Sequence, residues 1–595
     1  MEYEIWFEPL GLRVTCPQGA NIFEAAREAG IVLTSICGGR GICGQCRVQL
    51  IQGDVSPLSE REKTCLEEDD IAAGFRLACE TRPLSDLRVY LPRTSLAAKQ
   101  RLQLFGMDLQ TTLDPVVHEC EVEVPEPSLQ NPVAVWENLC ESLVRQCSMG
   151  KPHPDLMLLQ HLASVLQSSR SKVAVTVRGG EVIDLHPVSQ RLLGVAIDLG
   201  TTKIAANLVD LHTGESLAAL GVANSQAAYG EDVMSRVSYA LEGGGEELQE
   251  NIRSTLDQLI KELCGNPAEV AEISLVGNTA MHHLFLGLPV LQLGQAPYVP
   301  AVRCSLDIKA RDLELHAAPG AYVHLLPNIA GFVGSDHVAM LMAAGLYNTD
   351  KTLLGIDIGT NTEVSLAVNG TVSSLSCASG PAFEGAHVRH GMKAATGAIE
   401  SVNIDHNGVE LGVIGDVRPL GICGSGILDA IAQLRQQRII DRRGRLQDHP
   451  LVRRRKNGHE FVLATADTTG TMQDIVLSRG DIAEIQLAKA AIRTGINILL
   501  HEAGIKENEV DEVIIAGAFG SYIDISSAVA IGMLPSLPLG KFKQVGNAAS
   551  VGAKLALVSK KHRYIAQNIA ESVRYIELAC HPRFEEEFSR SMWLS

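Results

Sequence analysis

Gly-Val-Ala-Ile-Asp-Leu-Gly-Thr-Thr-Lys (Gly194–Lys203) and Leu-Gly-Ile-Asp-Ile-Gly-Thr-Asn-Thr-Glu (Leu354–Glu363) decide the fold of this chain. Each is an apolar run ending in Asp-x-Gly-Thr, and each is followed by a second apolar run. The pattern predicts two tight β-hairpins, because short apolar runs bounded by Gly and Thr read as strands and turns. A glycine there lets a phosphate approach the backbone, and successive N–H groups form an anion nest. Two such hairpins predict duplicated halves with a phosphate-bearing ligand between them.

Around the pair, the chain alternates strands and helices from residue 191 onward. Ile273–Val276 precedes Gly277-Asn278-Thr279 and an amphipathic helix. Val513–Ile515 precedes Ala516-Gly517-Ala518-Phe519-Gly520 and another helix. A long helix is expected over Ile482–Leu500, with apolar residues at spacings of three and four, Asp481 and Glu484 supporting its start and Gly504 just past its end. Strand–Gly-turn–helix units build doubly wound α/β folds, with ligands at the carboxyl ends of the strands.

At 595 residues the chain is too long for one core, since domains run to roughly 100–200 residues. The expected fold class is multidomain α/β and α+β. A compact β-grasp unit spans 1–93, a linker 94–114, a small α/β middle domain 115–190, and a duplicated α/β fold 191–595, with halves about 191–350 and 351–595. The first unit reads as a hairpin (Tyr3–Phe7, Leu12–Cys16), a helix Ile22–Ala29 capped by Asn21, a cysteine loop, a strand Arg47–Leu50 and a last strand Asp86–Leu91. The middle unit reads as a strand His118–Val124, helices Pro132–Arg145 and Asp155–Ser168, and a strand pair around Gly179-Gly180.

Net charge of −18 argues against nucleic acid, whose binding rests on cationic contacts to phosphate. No stretch approaches the ~18–20 apolar residues of a membrane span, and the acidic N-terminus is not a signal peptide. The expected location is the cytoplasm, with no membrane partner.

Four of the fourteen cysteines have ligand-like spacing: Cys37-x5-Cys43-x2-Cys46, with 32 residues between Cys46 and Cys79. Three thiolates in one glycine-rich loop plus a fourth suit an iron–sulfur cluster, and amides turned toward its sulfurs would raise its potential. The spacing resembles the adrenodoxin-like branch of 2Fe–2S ferredoxins. Zinc is the alternative, but it more often uses two separated Cys-x2-Cys pairs. Gly39-Arg40-Gly41-Ile42-Cys43-Gly44 matches G-x-G-x-x-G, yet no βαβ unit surrounds it, so it is not a dinucleotide fingerprint. Cys65 lies off the pattern and is an alternative ligand. The remaining cysteines read as small buried hydrophobes, and a disulfide framework is not expected.

Gly540-Lys541 is followed by Phe542, so this is no P-loop. The duplicated loops instead resemble the phosphate-1 and phosphate-2 loops of the acetate/sugar kinase, heat-shock chaperone and actin superfamily. The resemblance implies that Asp198, Gly200, Thr201, Thr202 and Lys203 form the first loop. It places Asp357, Gly359, Thr360, Asn361, Thr362 and Glu363 in the second. It makes Gly517, Ala518, Phe519 and Gly520 an adenosine loop, and Gly424-Ser425-Gly426 a connecting-helix turn. The ligand implied is ATP with Mg²⁺, the aspartates holding the hydrated cation or orienting the attacking group. Glu363 is the candidate for positioning a hydrolytic water.

Ferredoxin-like domain, linker, small middle domain and duplicated ATPase in one chain closely resemble the reductive activators of corrinoid-dependent methyltransferase systems. The likeness covers the whole chain. It extends to Tyr229–Arg236, Pro327–Asp336 and Ser376–Ala386; Cys580 stands alone, unlike the extra cluster cysteines of the archaeal branch. The resemblance implies an electron passing from a 2Fe–2S cluster to return inactive cobalt(II) to cobalt(I). That transfer is uphill, since each ~59 mV of one-electron mismatch costs tenfold, so ATP is coupled to it. Implied partners are a corrinoid protein and an upstream low-potential electron donor, with a homodimer left open. Ser376–Ala386 either approaches the corrinoid or forms a buried turn beside the phosphate-2 hairpin. The alternatives are a small-molecule kinase with a redox-sensing ferredoxin domain, and an ATP-driven partner-binding scaffold.

Overall fold

Leu193–Leu199 and Leu353–Ile358 are the central strands of two six-stranded sheets built to one plan. The structure is a computed structural model. It describes residues 2–8, 12–28, 31, 33, 35, 37, 39–92, 111–130, 132–169, 172–230, 232–405, 408–455, 458–517 and 519–595. In the first sheet the order is Ser216–Ala223, Lys203–Asp210, Leu193–Leu199, Val270–Gly277, Tyr322–Leu325, Leu306–Lys309. In the second it is Thr371–Cys377, Thr362–Val368, Leu353–Ile358, Glu512–Ala516, Phe542–Gly546, with Arg574–Tyr575 added beside Thr371–Cys377. Each Asp-bearing strand therefore pairs antiparallel with its hairpin partner. On its other side it runs parallel to a strand that arrives later through helices: Asp198 lies opposite Val276, and Asp357 opposite Ala516. The apolar runs are buried on both faces, as central parallel strands are; Leu193, Val195, Ile197, Leu354, Ile356 and Ile358 are all fully buried.

Each half has a core of its own, and a third cluster is shared between them. Helix Ala548–Val558 follows the last long strand of the second sheet but packs on the first half, against strand Leu193–Leu199 and helix Ser335–Ala343. Ala196, Val276 and Val338 share one cluster with Ile514, Ala553 and Leu557. This shared core forms the base of the cleft, and the carboxyl ends of both Asp-bearing strands open into it.

Several elements differ from the sequence expectation. The long helix runs Arg479–Ala503, because Ser478 caps it; Asp481 is the third helical residue and completes a capping box with Ser478. Helix Thr279–Leu286 is not amphipathic, since Thr279–Phe285 are all buried between the first sheet and its neighbours. Gly424, Ser425 and Gly426 form the first turn of helix Gly424–Gln436. Cys120 and Cys147 are joined by a disulfide that ties strand Val117–Glu123 to helix Val135–Cys147, and Cys304 and Cys580 are exposed. Among the described residues no helix is long and apolar enough to cross a membrane.

The N-terminal sheet has the order Leu12–Pro17, Glu2–Glu8, Leu87–Tyr90, Arg47–Gln52, Phe75–Leu77, with helix Ile22–Glu28 against it. The Asn21 side chain caps that helix, accepting from the Glu24 amide at 2.8 Å. Glu62 is wholly buried, takes two Arg76 donors at 2.8 and 2.9 Å and the Leu77 amide at 3.1 Å, and so fixes the strand that leads to Cys79. The middle unit is a four-stranded sheet, Val117–Glu123, Lys172–Arg178, Glu181–His186 and His153–Pro154. It abuts the first half through Arg178, which donates to Glu272. Most of the expected linker, residues 93–110, lies outside the described residues.

Candidate nucleotide cleft and cluster loop

The two Asp-x-Gly-Thr turns meet across the cleft. Thr202 Oγ1 lies 2.7 Å from Thr360 Oγ1. Between the turns is a cavity of about 200 Å³. Asp198, Gly200, Thr201, Thr202 and Lys203 line one side; Asp357, Gly359, Thr360, Asn361 and Glu363 line the other; Gly424, Ser425, Gly517 and Phe519 complete the wall. Two of the expected residues are displaced from it. Thr362 is wholly buried and its hydroxyl lies 2.9 Å from that of Ser379. Gly520 packs beneath, its carbonyl accepting from Gln544. Ala518 lies outside the described residues.

Each wall suits a different part of a nucleotide. Phe519 stacks on Phe383 with ring centroids 5.0 Å apart and an interplanar angle of 20°, an aromatic surface of the kind that takes a flat base. Gly517 has φ +90°, and a Cβ there would stand 2.4 Å from the Ile358 carbonyl, so only glycine lets this loop cross the second hairpin. Helix Gly424–Gln436 starts at the cavity with no side-chain cap, leaving its first amides and dipole for an anion.

Four carboxyl groups crowd the floor. Burial, opposed by the Asn547 amide that donates to it at 2.9 Å, pushes Asp198 up to about 6. Burial and then Asp198 push Asp336 up to about 7. Burial, Asp336 and Asp198 push Asp357 up to about 8. Glu363 is driven well above the carboxylate range by burial and by Asp336 and Asp357, against a hydrogen bond from Ser376. Mutual repulsion in a buried site is what a bound cation relieves, and an oxygen-only donor set suits a hard divalent ion. Asp336 joins the aspartates from the first turn of helix Ser335–Ala343. Asn547 comes from the cap of helix Ala548–Val558.

The sequence reading missed Asp336, Asn547, Phe383 and Glu384. A signal existed for two of them: Asp336 follows Gly334-Ser335 at a helix start, and Glu384 is the one acid in the small-residue run Ser376–Ala386. That run lies in the cleft, where Phe383 and Glu384 line the cavity.

Below the first hairpin sits Arg236, fully buried. It donates to the Thr201 carbonyl at 2.6 Å and to Gly230 at 2.8 Å, so the first loop rests on segment 229–236. Against the same segment lies the cysteine loop. Arg40 donates to the Cys37 carbonyl at 2.9 Å and to Ser235 Oγ at 3.0 Å, and Arg27 stacks over Tyr229.

The thiols meet in twos. Cys46 and Cys79 are 3.3 Å apart, and Cys43 bonds Cys37. Among the described residues no three ligating side chains converge as a single ion's site. Two pairs suit a binuclear cluster, in which each iron takes two thiolates. The backbone turns through positive φ at Gly39, Gly41 and Gly44. Amides of Ile42 and Cys43 face the Cys37 sulfur, that of Gln45 faces Cys43, and that of Gly41 faces Cys79. The Cys43 bond lowers Cys37 to about 4, burial opposing it and the two amides adding to it. Cys65 is beside this loop, its Cβ 3.3 Å from where a Gly44 side chain would start.

Comparison with known proteins gives a consistent picture along the chain. Residues 7–84 match the family described as a 2Fe-2S iron-sulfur cluster binding domain. Residues 107–191 match the RACo linker region, 193–349 the RACo middle region, and 351–595 the C-terminal domain of RACo, the ASKHA domain. The chain is 32% identical over 98% of its length to corrinoid activation enzyme RamQ of Eubacterium limosum, covering 98% of that protein. It is 23% identical over 64% of its length to the Co(II) methylated amine-specific corrinoid protein reductase of Methanosarcina barkeri, covering 73% of it. A solved structure described as a reductive activator for corrinoid, iron-sulfur protein superposes with a TM-score of 0.74 at 35% identity, over all of this chain and 98% of the other.

Proposed function

This chain belongs to the RACo family, and from that premise we propose that it is an ATP-coupled redox activator that returns the cobalt(II) of a corrinoid protein to cobalt(I). Its iron–sulfur cluster is of the 2Fe–2S type, and Cys37, Cys43, Cys46 and Cys79 hold it. The full-length relatives carry names of corrinoid activation, which favours this output over the kinase and scaffold alternatives.

One observation carries the reading: the cysteine loop and the first phosphate loop both contact helix Val233–Tyr239, Arg40 through Ser235 and Thr201 through Arg236. Nucleotide at the cleft and electron carrier at the surface therefore share an element.

When bound, the cluster supplies one low-potential electron. The chain's own residues do the rest. Phe519 and Phe383 take the base. The amides of the two loops and of helix Gly424–Gln436 take the phosphates. Asp198, Asp336 and Asp357 would face a hydrated Mg²⁺ through its water shell, since the three do not converge closely enough to ligate one ion directly, and the ion would neutralise phosphate charge. Glu363 orients the attacking water, holding its proton. Nucleotide helps only by binding one arrangement of the halves more tightly than another, so cleft closure is the step that changes the grip on the corrinoid protein. The electron comes from an upstream low-potential donor.

The test is spectroscopic. The reduced full chain, mixed with the cobalt(II) form of a corrinoid protein, converts its absorption to that of cobalt(I) with Mg-ATP and not without it. Conversion without ATP, or a phosphorylated small molecule made without any corrinoid protein, overturns the reading.

The cation site has its own pH signature. Because the aspartates sit at about 6, 7 and 8, they carry protons at pH 6 that a cation must expel. Affinity for Mg-ADP therefore rises from pH 6 to pH 8, about tenfold per pH unit for each proton released. Calorimetry in buffers of different ionisation enthalpy counts those protons. A flat profile with no proton release removes the aspartates from the cation site.

A further inference from the structure

Glu384 occupies an unusual place. It enters the cavity at the junction of the two phosphate loops. Thr360 donates to its Oε1 at 2.8 Å and Thr202 to the same oxygen at 3.3 Å. Lys203 lies near enough for the Glu384 charge to support its own, against burial. An anionic oxygen held by one hydroxyl from each Asp-x-Gly-Thr loop, beside a buried lysine, has the surroundings that a phosphate oxygen needs.

The same segment reaches the ferredoxin domain. Glu384 and Arg389 belong to one tight loop. Gly391 packs on Gly385 so closely that a Cβ on Gly391 would stand 1.9 Å from the Gly385 carbonyl. The loop is pinned at its far end by the Met392 amide on Ile422 and by the Arg389 amide on Asp481 Oδ1 at 2.7 Å. The Arg389 guanidinium then donates to Glu67 of the ferredoxin domain at 2.8 Å. That domain thus touches both halves: Arg40 grips Ser235 of the first, and Glu67 takes Arg389 of the second. The Arg389–Glu67 pair is largely solvent-exposed, so it is weak and easily exchanged.

We propose that the Glu384 carboxylate holds the seat of the terminal phosphate, so that a nucleoside triphosphate, but not a diphosphate, displaces it and, through residues 384–392, breaks the Arg389–Glu67 contact that holds the ferredoxin domain on the second half. The inference rests on reading the cleft as the ATP site. It adds the specificity-determining residue and the route by which occupancy of the cleft is felt at the electron carrier. The contact through Arg40 to the first half stays, so release from one half turns the domain rather than freeing it.

The experiment uses the full chain with its cluster, the non-hydrolysable triphosphate AMPPNP with Mg²⁺, and ADP with Mg²⁺. In amide hydrogen exchange, AMPPNP raises exchange several-fold in residues 60–70 and 384–392, and ADP leaves both at the nucleotide-free level. By calorimetry, Glu384→Ala binds AMPPNP about tenfold more tightly while ADP affinity is unchanged, and residues 60–70 exchange fast in it without nucleotide. Arg389→Gln gives fast exchange at 60–70 in every state. Equal responses to the two nucleotides in the unmodified chain overturn the proposal with no variant needed. Weaker AMPPNP binding in Glu384→Ala also overturns it, because Glu384 would then serve the nucleotide rather than compete with it. Failure of both nucleotides to bind overturns instead the ATP reading of the cleft.

Discussion

Cys43→Ala abolishes ATP-dependent cobalt(II) reduction while ATP hydrolysis persists. The four thiols stand as two pairs, Cys37 with Cys43 and Cys46 with Cys79, and losing one member leaves an iron short of a ligand. Reduction falls to the uncatalysed background, because the electron has lost its carrier. Among the described residues the nucleotide cavity takes none from the N-terminal unit, so hydrolysis continues. Cys65 is close enough to the loop to complicate a single substitution. The pair Cys43→Ala and Cys65→Ala removes that route. Cluster absorbance, iron content and cobalt reduction are measured together; full reduction activity in the double variant would sink the cluster assignment.

Asp198→Asn produces the opposite pattern: cluster intact, nucleotide cycle lost. The substitution keeps the side chain's shape and its contact with Asn547, but removes one of the four carboxyl groups on the floor. Losing a preorganised charge at a phosphoryl-transfer site costs about 10²–10³ in rate, so ATP hydrolysis and ATP-dependent cobalt reduction fall together by that factor. The check is phosphate release beside the cobalt spectrum in one preparation. Unchanged hydrolysis would remove Asp198 from the machinery. Reduction that survives without hydrolysis would mean that binding alone drives the transfer.

Both hairpins were legible because everything that makes them is local. An apolar run, an Asp-x-Gly-Thr turn and a second run specify strand, turn and strand within about ten residues. The cysteine loop is likewise a local pattern, but its pairing is not, because Cys46 meets Cys79 from 33 positions away. What could not be read was produced by distance in sequence. Asp336 reaches the aspartates only because helix Ser335–Ala343 starts at the carboxyl end of the first sheet. Asn547 reaches Asp198 only because helix Ala548–Val558 crosses from the second sheet onto the first half. That crossing also explains why the boundary near 350 separates two sheets and two cores yet leaves a third core shared across it. Thr362 and Gly520 were placed at the site by their motifs, yet alternation along a strand turned Thr362 inward to Ser379. The Cys120–Cys147 bridge joins residues whose neighbours give no hint of pairing.

The hydrogen bond between the two hairpins is offset. Thr202 is the fourth residue after Asp198, whereas Thr360 is the third after Asp357. The two sheets share the order of five strands, which is the arrangement that duplication of one unit would leave. In a perfectly twofold cleft a nucleotide would fit end for end with equal energy, and half of the bound molecules would point their triphosphate away from the machinery. The slip of one residue at the axis, with Phe519 on one side only, gives the cleft a polarity that its ancestor lacked.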